Sequence, residues 1–183
     1  MRSSTNSPSN DRIAVAIIAA SCLLLAAIDH LIPKPLPFVR IGLANLPILV
    51  AIKMFGIRQI AAIALLKIVG QGLITGMLFS YVFLLSAAGT VASVLVMVVL
   101  YRSLFPSISL LGVSVAGALA SNMAQLLLAR VVVFGPGVWL LAPPFLVTGT
   151  ITSIALGLLA TRFVERSRFV FLITNPLPSP DES

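Results

Sequence analysis

"YVFLLSAAGTVASVLVMVVLY", Tyr81 to Tyr101, runs for twenty-one residues without a charged side chain. A helix of that length rises about 30 Å, the thickness of the hydrocarbon core of a bilayer. The run shows none of the roughly ten-residue alternation of apolar and polar positions that marks a strand of a membrane barrel. It reads as a transmembrane helix, and the residues on either side of it repeat the pattern.

Across 183 residues, 59% are hydrophobic and 9% charged, with a mean hydropathy of +1.13. A soluble domain carries about 25% charged residues, so this chain has too few to cover a water-facing surface. Its solvent is lipid, where the backbone must satisfy its own hydrogen bonds. The fold class is therefore an all-α membrane protein with six transmembrane helices. The first span is expected over Ile13–Ile32, ended by Pro33, Pro35 and Pro37. The second is short, about Leu43–Phe55, or beginning as early as Arg40. The others follow at about Gln59–Met77, Tyr81–Tyr101, Leu110–Phe134 and Val138–Thr161, with "FGPGVW" (Phe134–Trp139) turning between the last two. Three segments result: 1–12, polar and expected to be disordered; 13–162, the membrane domain; and 163–183, a tail disordered at its end. The first span follows Arg2 and Arg12 and has the outline of a signal peptide. With five spans behind it, it reads as an uncleaved anchor.

The net charge of +7 does not imply nucleic acid, because the basic residues stand singly between apolar runs. Six spans place both termini on one side. That side holds Arg2, Arg12, Lys53, Arg58, Arg102, Arg162, Arg166 and Arg168, against Lys34, Arg40 and Arg130 on the other. The positive-inside rule then puts both termini in the cytoplasm of a multi-pass protein of the cell (inner) membrane.

The polar residues that remain converge on one depth. Asp29 and His30 close the first span, and Lys67 and Gln71 share a face of the third helix. Ser114, Ala118, Ser121 and Gln125 form a stripe on the fifth helix, with Asn122 beside it. Lys67 lies too deep to reach either interface, where a charge costs about 2.5–3.5 kcal/mol. It therefore faces protein or water, either paired with Asp29 or lining a solute pocket. Arg130 and Lys34 suit lipid headgroups as well as a solute. Cys22, the lone cysteine, reads as a small lipid- or helix-facing side chain.

Catalysis finds little support. Lys34, Lys53 and Lys67 are the only lysines and none follows a glycine, so there is no phosphate-binding GxxxxGK[ST] loop. Of Asp11, Asp29, Glu165, Asp181 and Glu182, only Asp29 approaches the membrane interior. Metal-assisted phosphoryl or prenyl transfer needs clustered carboxylates. The expectation is no enzyme, no metal and no cofactor.

"PFVRIGLANLP", the lone basic residue in "ALLKIVGQGLITG", "FLLSAAGTVASVLVM" and "SISLLGVSVAGALASNMAQLLLA" together resemble the Gx transporter family, also labelled heptaprenyl diphosphate synthase component I. The resemblance covers about residues 13–160. That family is similar to the substrate-binding S components of energy-coupling-factor (ECF) transporters, six-helix bundles with both termini inside. By position, the resemblance implies substrate-binding roles for Arg40, Asn45 and Lys67, and for Asn122 and Gln125 of an "HNxxQ" signature in which Ser121 stands for the histidine. Asp29 and Gln71 complete the expected set. Ala16 and Ala20, four apart on the first helix, resemble the AxxxA surface by which S components dock on a transmembrane coupling subunit. The implied partners are a small, anionic solute, that coupling subunit with its ATPases, and the lipid bilayer. Two alternatives stay open. One is a non-catalytic membrane partner of a polyprenyl diphosphate synthase; the other is a proton-coupled carrier using Asp29 and His30. The latter is disfavoured because six helices show no visible inverted repeat.

Overall fold

A computed structural model describes residues 8–31, 43–76, 78–104 and 107–166. Every regular element among them is helical. Helix α1 is Pro8–Leu31, α2 Leu46–Met54, α3 Ile57–Thr75, α4 Tyr81–Leu104, α5 Leu110–Ala129 and α6 Ala142–Arg166. A 3₁₀ turn, Leu43–Asn45, leads into α2. Helix α5 continues as a π-helical segment, Arg130–Phe134, and then a 3₁₀ segment, Gly135–Leu140. Gly135 takes φ +57° with ψ −146°, a conformation open in practice to glycine, and there the chain turns back toward α6. The glycine and proline of "FGPGVW" thus make the expected turn. Pro8 lies in α1, so the first helix starts earlier than its hydropathy suggested.

Five of the six helices are long and apolar enough to cross a membrane. The second is not. Its nine residues rise only about 14 Å, less than half a bilayer core. Six consecutive residues, Pro47 to Ile52, are buried, because α2 is enclosed by the bundle on all sides instead of facing lipid. The expected second span is therefore an internal half-length helix. The physical signal that misled is the same in both cases: an unbroken apolar run.

Two apolar cores lie at the two ends of the bundle. One joins Ala14, Ile18 and Cys22 of α1 with most of α2, Ile60 and Ile63 of α3, Met97 of α4, Val113 of α5 and Ala160 of α6. Cys22 is fully buried in it. The other joins Leu85 of α4, Leu126 and Ala129 of α5, Val138, and Ala142 and Phe145 of α6. These memberships make α4, α5 and α6 run antiparallel in turn. They also gather the exposed Arg12, Lys53, Arg58, Arg102 and Arg162 at the first end, with Arg130 at the other. Arg130 lies 5.9 Å from the ring centroid of the half-exposed Trp139, a cation–π contact of the kind that anchors a membrane interface.

Small residues bring the helices close. A side chain at Gly117 would run into Met97, joining α5 to α4, and one at Gly157 would meet Leu111, joining α6 to α5. Ser114 Oγ donates to the Ser153 carbonyl at 3.0 Å, tying α5 to α6 in the interior. Helix ends are closed by their own residues: Ser109 Oγ accepts from the Gly112 N–H at 3.1 Å, and Gly76, at φ +65°, ends α3 in the left-handed region.

Candidate functional site

Between the two apolar cores lies a polar cavity of about 70 Å³. Twelve of its eighteen lining residues are polar or charged, an unusual wall for the interior of a membrane bundle and therefore one that needs a reason. Each long helix supplies part of it.

Helix α3 contributes Lys67 and Gln71. Lys67 sits near the middle of α3 and is 4% exposed, so its ammonium faces protein as the depth argument requires. Its Nζ donates to Asn45 Oδ1. The local sequence explains how Asn45 comes to be available. It occupies the N-cap of α2, where an asparagine ordinarily accepts from the backbone N–H two or three residues on. Here Pro47 stands two residues on without an N–H, and the Asn45 side chain makes no capping bond. The carboxamide instead reaches Lys67. Because α2 starts deep inside the bundle, its N-terminus meets α3 at mid-membrane.

Asp29, 4% exposed, enters the cavity from α1. It is the one carboxylate among the described lining residues.

From α5 come Ser114, Ala118, Ser121, Asn122 and Gln125, so the whole stripe expected from helical spacing faces one space. Gln125 Nε2 donates to Ser121 Oγ at 2.9 Å and to the Ser121 carbonyl at 3.2 Å. The pair lies against Gly89 of α4, where any side chain would strike both Ser121 Oγ and the Gln125 amide. Asn122 lies against Gly149 of α6 in the same way.

The structure thus brings together Asp29, Asn45, Lys67, Gln71, Asn122 and Gln125. Arg40 and Lys34 lie outside the described residues, and of His30 only the backbone is described. Ala16 and Ala20 are away from the cavity, both exposed on one face of α1. Sequence reasoning missed the shares of α4 and α6. Ser86 and Thr90 on α4, and Gly149, Thr152 and Ser153 on α6, also line the cavity. The signal on α4 was present: Ser86, Thr90 and Ser93 recur at four and three residues, the spacing of one helix face, and all three are buried. On α6 the signal is blurred, because Thr148, Thr150 and Thr152 recur every second residue. Each of those hydroxyls donates to the carbonyl four residues back at 2.8–2.9 Å, which satisfies it on any face of the helix.

A cavity of this kind can recognise a small polar solute by hydrogen bonds and charge. A family model described as heptaprenyl diphosphate synthase component I matches residues 18–163. No curated protein and no solved structure gives a match.

Proposed function

The chain belongs to the heptaprenyl diphosphate synthase component I family, and from that membership and the mid-membrane cavity we propose that it is a membrane-embedded solute-binding subunit. The single observation that carries this reading is the polar cavity enclosed between two apolar cores, with Lys67 and Asp29 both buried at its wall. Two buried charged residues and ten further polar ones are costly in lipid, and capture of a polar solute is the use that offsets the cost. The role is binding and not catalysis. Lys67 supplies positive charge, which favours a solute with an anionic group, and Asn45, Gln71, Asn122 and Gln125 supply orientation.

Energy for import comes from separate subunits of the ECF type. The exposed Ala16 and Ala20 offer a shallow face on α1 for the transmembrane coupling subunit, since small side chains let helices approach. The basic residues gathered at one end support a cytoplasmic position for that end, with the N-terminus there and the protein in the cell (inner) membrane.

The family's description favours a second reading, a non-catalytic membrane partner of a polyprenyl diphosphate synthase. Mass spectrometry of everything that copurifies with the detergent-solubilised protein separates the two. The first reading expects a small polar metabolite at near-stoichiometric amounts and ATPase subunits. Replacing both Ala16 and Ala20 with Leu releases those subunits and leaves the metabolite bound. A soluble, aspartate-rich prenyltransferase with no retained metabolite would establish the second reading and end the first.

A further inference from the structure

A threonine within a helix can turn its hydroxyl back onto a carbonyl one turn earlier, and every described threonine but one does so. Thr75, Thr148, Thr150, Thr152 and Thr161 each donate to the carbonyl four residues back, at 2.8–2.9 Å. Thr90 of α4 is the exception. It lines the polar cavity and is 6% exposed, and its hydroxyl has no hydrogen-bond partner among the described residues. Its neighbours on the same helix face are engaged: Ser93 Oγ donates to Met97 Sδ at 3.9 Å, and Ser86 has a partner of its own. The Thr90 oxygen is not sealed in packing as Asn122 Nδ2 is, so the surface it keeps opens on the cavity it lines. A buried hydroxyl without a bond is destabilising, and native interiors rarely keep one without a reason.

We propose that Thr90 Oγ1 is a solute-binding group, and that the solute carries an uncharged hydrogen-bonding group besides the anionic one that Lys67 favours. This rests on the solute-binding reading above and narrows it to a chemical class, small acids with a hydroxyl or carbonyl as their second polar group. A hydroxyl both donates and accepts, so Thr90 suits either oxygen. A second charge does not fit there, because a buried charge needs a countercharge and Thr90 has none to give. An acid with a purely apolar body would leave the Thr90 hydroxyl unpaired. None of the roles implied by the family resemblance falls on α4.

The test sets two isosteric probes against two isosteric side chains. Glycolate and propionate share size, shape and carboxylate, are small enough for a cavity of about 70 Å³, and differ only in a hydroxyl against a methyl group. Thr90→Val makes the same exchange in the protein. Half-saturating concentrations are read from thermal unfolding of the full chain in detergent at increasing probe concentration. The wild type should bind glycolate more tightly than propionate by about fivefold or more, the factor that one typical hydrogen bond supplies. In Thr90→Val the preference should vanish, and Thr90→Ser, which keeps the hydroxyl, should retain it. Without probe, Thr90→Val should melt no lower than the wild type, because it removes an unsatisfied group; a hydroxyl with a structural role would give a lower melting temperature instead. If Thr90→Val does not fold, Thr90→Ala carries the comparison. A glycolate preference that survives loss of the hydroxyl, equal binding of the two probes by the wild type, or no response of the wild type to either overturns the assignment. The metabolite retained through purification judges the solute-binding reading separately. If the wild type retains one and Thr90→Val retains it equally, only the role of Thr90 falls; if none is retained and neither probe binds, the solute-binding reading falls with it.

Discussion

Lys67 shows how far a single residue can be read. Its depth in an apolar run is visible from counting, and a cation at that depth demands a polar partner. One partner, Asn45, is not visible, since an asparagine before a helix ordinarily serves as its cap and the freedom of this one depends on Pro47 and on where α2 begins. The pairing leads to a prediction. Lys67→Met keeps the length of the side chain and removes its charge. Solute retention should fall roughly tenfold or more, because a hydrogen bond to a charged group contributes about 1.5–3 kcal/mol. A role in solute binding expects the melting temperature without solute to change little. A large loss of stability, partly restored by Asp29→Asn, with retention unchanged, would make Lys67 a structural partner of Asp29 and retire its role in binding.

At the scale of elements, α2 is the departure from expectation, and its burial has a measurable consequence. Leu49 is 1% exposed inside the bundle, whereas Leu95 on α4 is 59% exposed and faces the bilayer. Leu49→Ala removes packing that nothing else fills and should cost about 2–5 kcal/mol. Leu95→Ala exchanges contacts with lipid tails that are as apolar as the side chain itself, and should cost under about 1 kcal/mol. Thermal denaturation of both variants in the same detergent checks the contrast, and equal losses would place α2 at the lipid surface after all. The polar stripe on α5 was legible because Ser114, Ala118, Ser121 and Gln125 keep a helical spacing. The hydroxyls of α6 were not, because each satisfies itself on its own backbone and so carries no preference for the interior.

At the scale of the whole molecule, the polar layer between two apolar cores implies a direction. Arg12, Lys53, Arg58, Arg102 and Arg162 lie at the end where α1 begins, and the turn carrying Arg130, Gly137 and Trp139 lies at the other. With Cys22 replaced by alanine, a small change at a fully buried site, single cysteines report the sides. Gly137→Cys should react with a membrane-impermeant maleimide on intact cells, and Arg58→Cys only after permeabilisation. The reverse pattern would open the cavity's α2 N-terminal end toward the cytoplasm and exclude capture of solute from outside.

Hydropathy alone placed this chain in a bilayer and located five membrane spans, because the cost of moving a segment from water to lipid is a sum over its own residues. Charge counting predicts a direction, which the labelling experiment tests, and helical spacing gave one wall of the cavity. The burial of α2, the bond from Lys67 to Asn45, and the glycines at 89 and 149 that seat the amides of α5 were decided only in three dimensions. The physical reason is that lipid and protein interior are both apolar. A helix in the membrane turns a given face inward without any change in hydrophobicity to record it, so neither its neighbours nor a helix's full enclosure can be read along the chain. They follow from shape: where a glycine lets two backbones approach, and where a nine-residue helix stops short of the surface.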